Sequence, residues 1–128
     1  MHASLRRSLP ALALVFLATA CHRGATTSPQ TNFDYLSQAQ MQERNFINLH
    51  DAIAALRGNW LVVRGTDSFQ APSQIWVYYD QTKLGGIETL KTVLVQDIAY
   101  ARHYSAIDAT TRWGVGHAAG VIYVSSHQ

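Results

Sequence analysis

Five residues in this sequence carry side chains suited to acid–base or metal chemistry: His50, Asp51, His103, Asp108 and His117. A metal centre needs ligands that one helix face or one short loop brings together, as HExxH does with two histidines a turn apart. His50 and Asp51 are neighbours on a helical stretch and so project in different directions. The chain has no HExxH, no cysteine pair and no two histidines at helical spacing. The histidines are therefore expected to be solvated or hydrogen-bonded, with no metal bound. Ser68 lies in Gly-Thr-Asp-Ser-Phe, which is not the G-x-S-x-G of a nucleophile elbow. Gly114-Val-Gly116-His-Ala-Ala-Gly120 is not G-x-G-x-x-G, and it precedes a strand where a dinucleotide loop follows one. Tight turns with positive φ are the expected use of these glycines. No catalytic residue and no cofactor is expected; a small hydrolase would need Ser68 or a histidine beside an acid in a cleft.

The aromatic residues carry more information. Trp60, Trp76, Tyr78, Tyr79, Tyr100, Tyr104, Trp113 and Tyr123 crowd the strand-like segments. Sheet and core packing uses such residues, and so does a surface that offers Trp and Tyr to a partner as anchors. Alternation along Ile75-Trp-Val-Tyr-Tyr79 puts Trp76 and Tyr78 on one face, Val77 and Tyr79 on the other. One face is expected to be buried and the other available. Together with the loop 65–73, this gives a candidate partner or ligand surface of Asp67, Ser68, Phe69, Trp76, Tyr78 and Tyr79.

The elements that must position these groups can be read in order. Residues 34–44 form a marginal helix at the end of a Thr-, Ser-, Gly- and Gln-rich tether. Asn48-Leu-His-Asp51 resembles a capping box. Leu49, Ala52, Ile53 and Leu56 then repeat at helical spacing up to Gly58. Trp60 to Arg64 and Ile75 to Tyr79 are rich in strand formers, Asp80 to Gly86 holds a tight turn, and Ile87 to Lys91 fits a short helix. Ile98 to Tyr104 alternates as a strand, Ala106 to Arg112 is a short helix or turn, and Val121 to Ser125 is the last strand. The expected fold is α+β: a small mixed sheet of about four strands with two or three short helices on one side.

At 128 residues, with 48% apolar and 14% charged residues, the chain has room for one small domain and is too apolar to be disordered. Its first 20 residues are an address. Arg6 and Arg7 precede an apolar run, Leu9 to Leu17, that is too short to span a bilayer. The small residues Ala18, Thr19 and Ala20 follow, then Cys21, the one cysteine. Loss of Arg6 and Arg7 with this segment leaves eight basic residues against eight acidic ones, a neutral chain without the basic stripe that nucleic acid requires. Leu17-Ala-Thr-Ala-Cys21 resembles a bacterial lipobox. That resemblance implies lipidation of Cys21 and delivery to the cell outer membrane, facing the periplasm, with His22 in place of aspartate after the cysteine.

The stretch from Ile75 to Ser126 resembles the plug domain of TonB-dependent outer-membrane receptors. Three blocks carry the likeness: Ile75-Trp-Val-Tyr-Tyr-Asp80 leading to Gly85-Gly86, then Leu90 to Tyr104, then Trp113-Gly114-Val-Gly116-His-Ala-Ala-Gly120-Val121-Ile122-Tyr-Val-Ser. The family has V-x-V-x-x-D-G-V in the first block and an aromatic-Gly pair followed by Gly-Val-Ile in the last. Gln81 replaces the turn glycine, Ser105-Ala106 replaces Gly-Pro, and residues 22–45 hold no TonB box. A receptor barrel needs hundreds of residues more, so the likeness implies a standalone plug-like domain, with lipid in place of the barrel.

The expected organisation is thus 1–20 signal peptide, 21–45 lipidated cysteine and tether, 46–128 plug-like domain. The expected role is non-catalytic: an interaction or accessory module at the outer membrane, attached through lipid, with an envelope protein as partner and a link to TonB-dependent uptake. The alternative is a periplasmic lipoprotein that binds a small ligand or glycan in an apolar pocket beside the loop 65–73.

Overall fold

The computed structural model describes residues 32–64 and 73–128. Cys21, the signal segment and the candidate residues Asp67, Ser68 and Phe69 lie outside the described residues. The fold is α+β, built on one mixed sheet of five strands in the order β1-β4-β5-β2-β3. The strands are β1 (Tyr35–Ser37), β2 (Trp76–Tyr79), β3 (Thr82–Gly85), β4 (Tyr100–Tyr104) and β5 (Val121–Ser125). β5 pairs antiparallel with β4 and parallel with β2. β1 and β3 pair antiparallel on the two edges.

Helix α2 (Leu49–Arg57) forms as its spacing requires. The Asn48 side chain accepts the Asp51 N–H at 2.9 Å, and Leu49, Ala52 and Ile53 are buried. Gly58 does not end it with a left-handed residue: at φ −52° the chain continues into a 3-10 turn over Gly58–Leu61. Trp60 to Arg64 therefore does not form the expected strand. The turn drives the Trp60 ring into the core at 0% exposure, where Nε1–H donates to the Phe33 carbonyl at 3.0 Å, and leaves Val62 and Val63 exposed.

Residues 34–44 also differ from expectation. Tyr35–Ser37 is an edge strand, and only Gln38–Gln42 is helical (α1), started by a reciprocal capping box between Ser37 and Gln40. Leu36 and Met41 are fully buried, so the packed domain begins ahead of residue 46 and takes in part of the expected tether. The Asp80–Gly86 turn is tighter than expected. Asp80 takes φ 51°, and Thr82–Gly85 returns as β3.

Core packing lies on one side of the sheet. Leu36, Val77, Ala101, Ile122 and Val124 meet Leu49, Ile53 and Trp60 there. The segment Leu90–Ile98, partly in 3-10 turns, closes this layer and is stitched to the start of α2 by Leu49 N–H to the Val93 carbonyl (2.8 Å) and Val95 N–H to the Ile47 carbonyl (3.0 Å). Helix α3 (Ala106–Trp113), capped by Ser105, follows β4. A link through Gly114, Gly116 and Gly120, all at φ between 86° and 94°, leads into β5. At Gly120 a Cβ would stand 2.9 Å from the Tyr104 carbonyl oxygen, so the close approach of the β4 and β5 ends depends on glycine there.

Candidate aromatic and cationic sheet face

Alternation puts the opposite set of side chains on the other sheet face: Tyr35 from β1, Tyr100, Arg102 and Tyr104 from β4, Tyr123 from β5, Trp76 and Tyr78 from β2. Of these rings, Tyr35 is exposed and the others are half-buried. Trp113, at the end of α3, joins them by stacking on Tyr78, with centroids 5.0 Å apart and planes at 27°. It also meets Tyr104 edge-on at 5.1 Å and 86°. Tyr123 sits 6.4 Å from both Trp113 and Tyr104, and 6.3 Å from Tyr100. Tyr100 stacks on Tyr35 at 5.2 Å. Rings therefore run without interruption from the β1 edge to β2. Each such pair contributes about 0.5–1.5 kcal/mol beyond area burial, so the row stiffens the face as well as offering it.

His117 fixes one end of this row. Its ring is 6% exposed; Nδ1–H donates to the Gly114 carbonyl at 2.9 Å, which leaves Nε2 to accept the Tyr78 hydroxyl at 3.0 Å. The Trp76 indole N–H donates to the Gly116 carbonyl at 2.8 Å. The glycine-rich link is thus tied down onto the face by two β2 side chains. Burial pushes the phenols of Tyr78 and Tyr123 above their ordinary value, so both stay neutral and keep their protons to donate.

Cations flank the rings. Arg102 and Arg112 lie 5.0 and 5.4 Å from the Tyr104 centroid, and Arg112 lies 5.0 Å from Trp113. Lys83 on β3 stands 3.3 Å from the Trp76 centroid. Neither arginine was among the expected surface residues, although Tyr100-Ala-Arg102-His-Tyr104 alternates clearly enough to group Arg102 with two tyrosines.

The structure divides the expected surface. Trp76 and Tyr78 share the open face. Tyr79 does not: it packs against the core layer, and its hydroxyl donates to the Asp97 carbonyl at 3.2 Å. The residues of the plug-like blocks serve the frame of this face. Trp113 is its central ring, Gly85 and Gly86 lead β3 into the next 3-10 turn, and Val121 and Ile122 begin β5. The Asp80 carboxylate accepts the Ser126 N–H (3.0 Å) and the Ser126 hydroxyl (2.7 Å), which pins the end of β5 and holds the acid below the usual carboxylate range; the Ser125 hydroxyl, 3.3 Å away, donates to the His127 carbonyl at 2.8 Å.

The residues of the metal and hydrolase hypotheses stand apart. His50 contacts Asp51 at 3.3 Å, His103 contacts Asp34 at 3.3 Å, and Asp108 accepts the Ser105 hydroxyl at 2.8 Å. Among the described residues no three His, Cys, Asp or Glu side chains come together as a metal site. The cleft beside Arg64, lined also by Asn59, Val62, His103 and Ser105, measures about 200 Å³ as the described residues form it. No helix among the described residues is long and apolar enough to cross a membrane. No protein-family model, curated protein or solved structure matches this chain.

Proposed function

We propose that this chain is a non-catalytic, lipid-anchored module of the bacterial cell envelope that docks a protein partner through its aromatic sheet face. One observation carries the docking: a continuous row of half-exposed Tyr and Trp rings flanked by exposed arginines. Tyr, Trp and Arg are the residues that supply most binding energy at protein interfaces, and rings already packed against each other lose little freedom on binding. The lipobox-like run ending at Cys21 supports the anchor and the outer-membrane location. The plug resemblance of residues 75–126 supports a place beside TonB-dependent uptake.

A photo-reactive residue placed at Tyr100 in cells tests the docking. The expected result is a discrete crosslinked adduct from Tyr100 and none from the exposed Ala54 on α2, the opposite side of the molecule. Equal labelling from both positions, or none, refutes it. Intact mass and membrane fractionation of the protein beside Cys21→Ala test the anchor; an unmodified, soluble chain refutes it. A second reading, a glycan laid along the ring row, is favoured by the exposed Tyr35 ring stacked on Tyr100 at the sheet edge.

A further inference from the structure

The aromatic face carries positive charge that no carboxylate among the described residues pairs with. Among the described residues five of the seven acids are engaged elsewhere: Glu88 with Lys91, Asp51 with His50, Asp34 with His103, Asp108 with Ser105 and Asp80 with Ser126. No carboxylate among them lies within ion-pair distance of Arg102, Arg112 or Lys83.

The two arginines share Tyr104. Arg102 projects from β4, with Tyr35 as its register partner on β1 and Tyr123 on β5. Arg112 projects from the last turn of α3, and its Nη1 donates to the Tyr104 hydroxyl at 3.1 Å. That bond uses one of the five N–H donors of its guanidinium. A guanidinium over a ring is held in place while keeping donors for a carboxylate, which it grips through two parallel bonds.

We infer that Arg102 and Arg112 receive a carboxylate of an acidic, aromatic-containing peptide segment of the partner, whose neighbouring side chains lie along the ring row. It rests on the docking role proposed above and names the partner's chemistry. Charge complementarity selects an acidic segment over a neutral or basic one. Two arginines and one lysine are fewer cations than the clusters of about four to eight Lys and Arg that a membrane surface calls for. The row of Tyr and Trp rings supplies the apolar part that a bare polyanion would leave uncovered.

The probe is a labelled random copolymer of glutamate and tyrosine, titrated by fluorescence anisotropy into detergent-solubilised full-length protein. A lysine–tyrosine copolymer and an oligo-uronate glycan are titrated alongside. Saturable binding of the glutamate–tyrosine copolymer is expected. It should weaken about tenfold or more in Arg102→Gln and in Arg112→Gln, and less in Arg112→Lys, which keeps charge but loses the fork. Arg44→Gln, in the exposed loop before α2, should bind as the parent does. Raising salt from about 0.05 to 0.5 M should weaken binding severalfold. Unchanged thermal midpoints establish that the variants are folded.

Equal binding of both copolymers, indifference to both arginine substitutions, or tighter binding of the oligo-uronate overturns the inference. Failure of the copolymer beside a discrete Tyr100 adduct refutes the acidic partner and leaves the docking role standing. Arginine-dependent copolymer binding without any adduct supports the chemistry and refutes the docking role in cells.

Discussion

Asp80 is the residue at which backbone strain and side-chain bonding can be separated by three substitutions. It occupies φ 51° and its carboxylate accepts two bonds from Ser126, holding the end of the central strand β5 to the β2–β3 turn. Each bond contributes about 1 kcal/mol net at a half-exposed site, so losing both costs roughly 2 kcal/mol. A non-glycine residue in the left-handed region costs a further 1–2 kcal/mol or so, and Asp and Asn bear it better than Ala. Asp80→Asn keeps a carbonyl acceptor and the tolerant backbone, so a loss of about 1 kcal/mol is expected. Asp80→Gly loses the bonds but relieves the strain and should cost about 1–2 kcal/mol; Asp80→Ala loses the bonds and bears the left-handed backbone less well than Asp, and should cost about 2–4 kcal/mol. Urea unfolding followed by tryptophan fluorescence measures all three. Equal losses for Gly and Ala would show that the turn is unstrained, and an Asn loss as large as that of Ala would show that the bonds are immaterial. The pH dependence gives a second check. The folded acid lies below its ordinary value near 3.8, so its contribution is complete above that pH and is lost as pH falls through the lower folded value. The gap between the parent protein and Asp80→Asn should therefore shrink below about pH 4; a gap that grows on acidification has the wrong sign.

Gly120→Ala should destabilise by about 2–4 kcal/mol in the same urea assay, because the new Cβ meets the Tyr104 carbonyl at a φ of 94°; a loss below 1 kcal/mol or so would contradict the close approach. Trp60→Phe keeps most of the buried ring but leaves the Phe33 carbonyl unpaired, so a loss of about 1–2 kcal/mol is expected, against about 3–5 for Trp60→Ala. Tyr78→Phe deprives the buried His117 Nε2 of its donor and should cost about 1–2 kcal/mol, with a histidine ring signal that shifts in NMR spectra; an unmoved signal would argue against the bond. Asn48→Ala removes the cap of α2 and should lower stability by about 1 kcal/mol, read from thermal unfolding by circular dichroism.

Elements whose cause is local were legible in the sequence. Asn48 caps α2 through its own side chain, and Leu49, Ala52 and Ile53 repeat within one helix. β2 and β5 announce themselves by dense branched and aromatic residues. Elements imposed from a distance were not. Tyr35–Ser37 is a strand because β4 offers a free edge, and its register with Tyr100–Arg102 crosses more than sixty residues. Thr82–Gly85 has the composition of a turn and is held as a strand by Tyr78 and Tyr79 across the hairpin. Trp60 to Arg64 has the composition of a strand, and burial of one large ring decides otherwise. The face was half legible for the same reason. Period two separated Trp76 and Tyr78 from Val77, but only the strand order brings Tyr123, Tyr104 and Trp113 beside them. Tyr79, adjacent to Tyr78 in sequence, falls by strand parity on the side of Val77 and packs against the core layer.

The middle strand of the sheet comes last of the five in chain order. β5 separates β4 from β2, and its parallel register with β2 joins residues more than forty positions apart. Until residues 121–125 are present, β2–β3 and β1–β4 are two detached ribbons, and isolated ribbons of this size are marginal in water. The sheet therefore closes only when β5 joins them, in a step whose rate is set by long-range pairing. Deleting five residues at Val121–Ser125 removes the pairing surface of two neighbours at once, a far larger loss than deleting the edge strand Tyr35–Ser37.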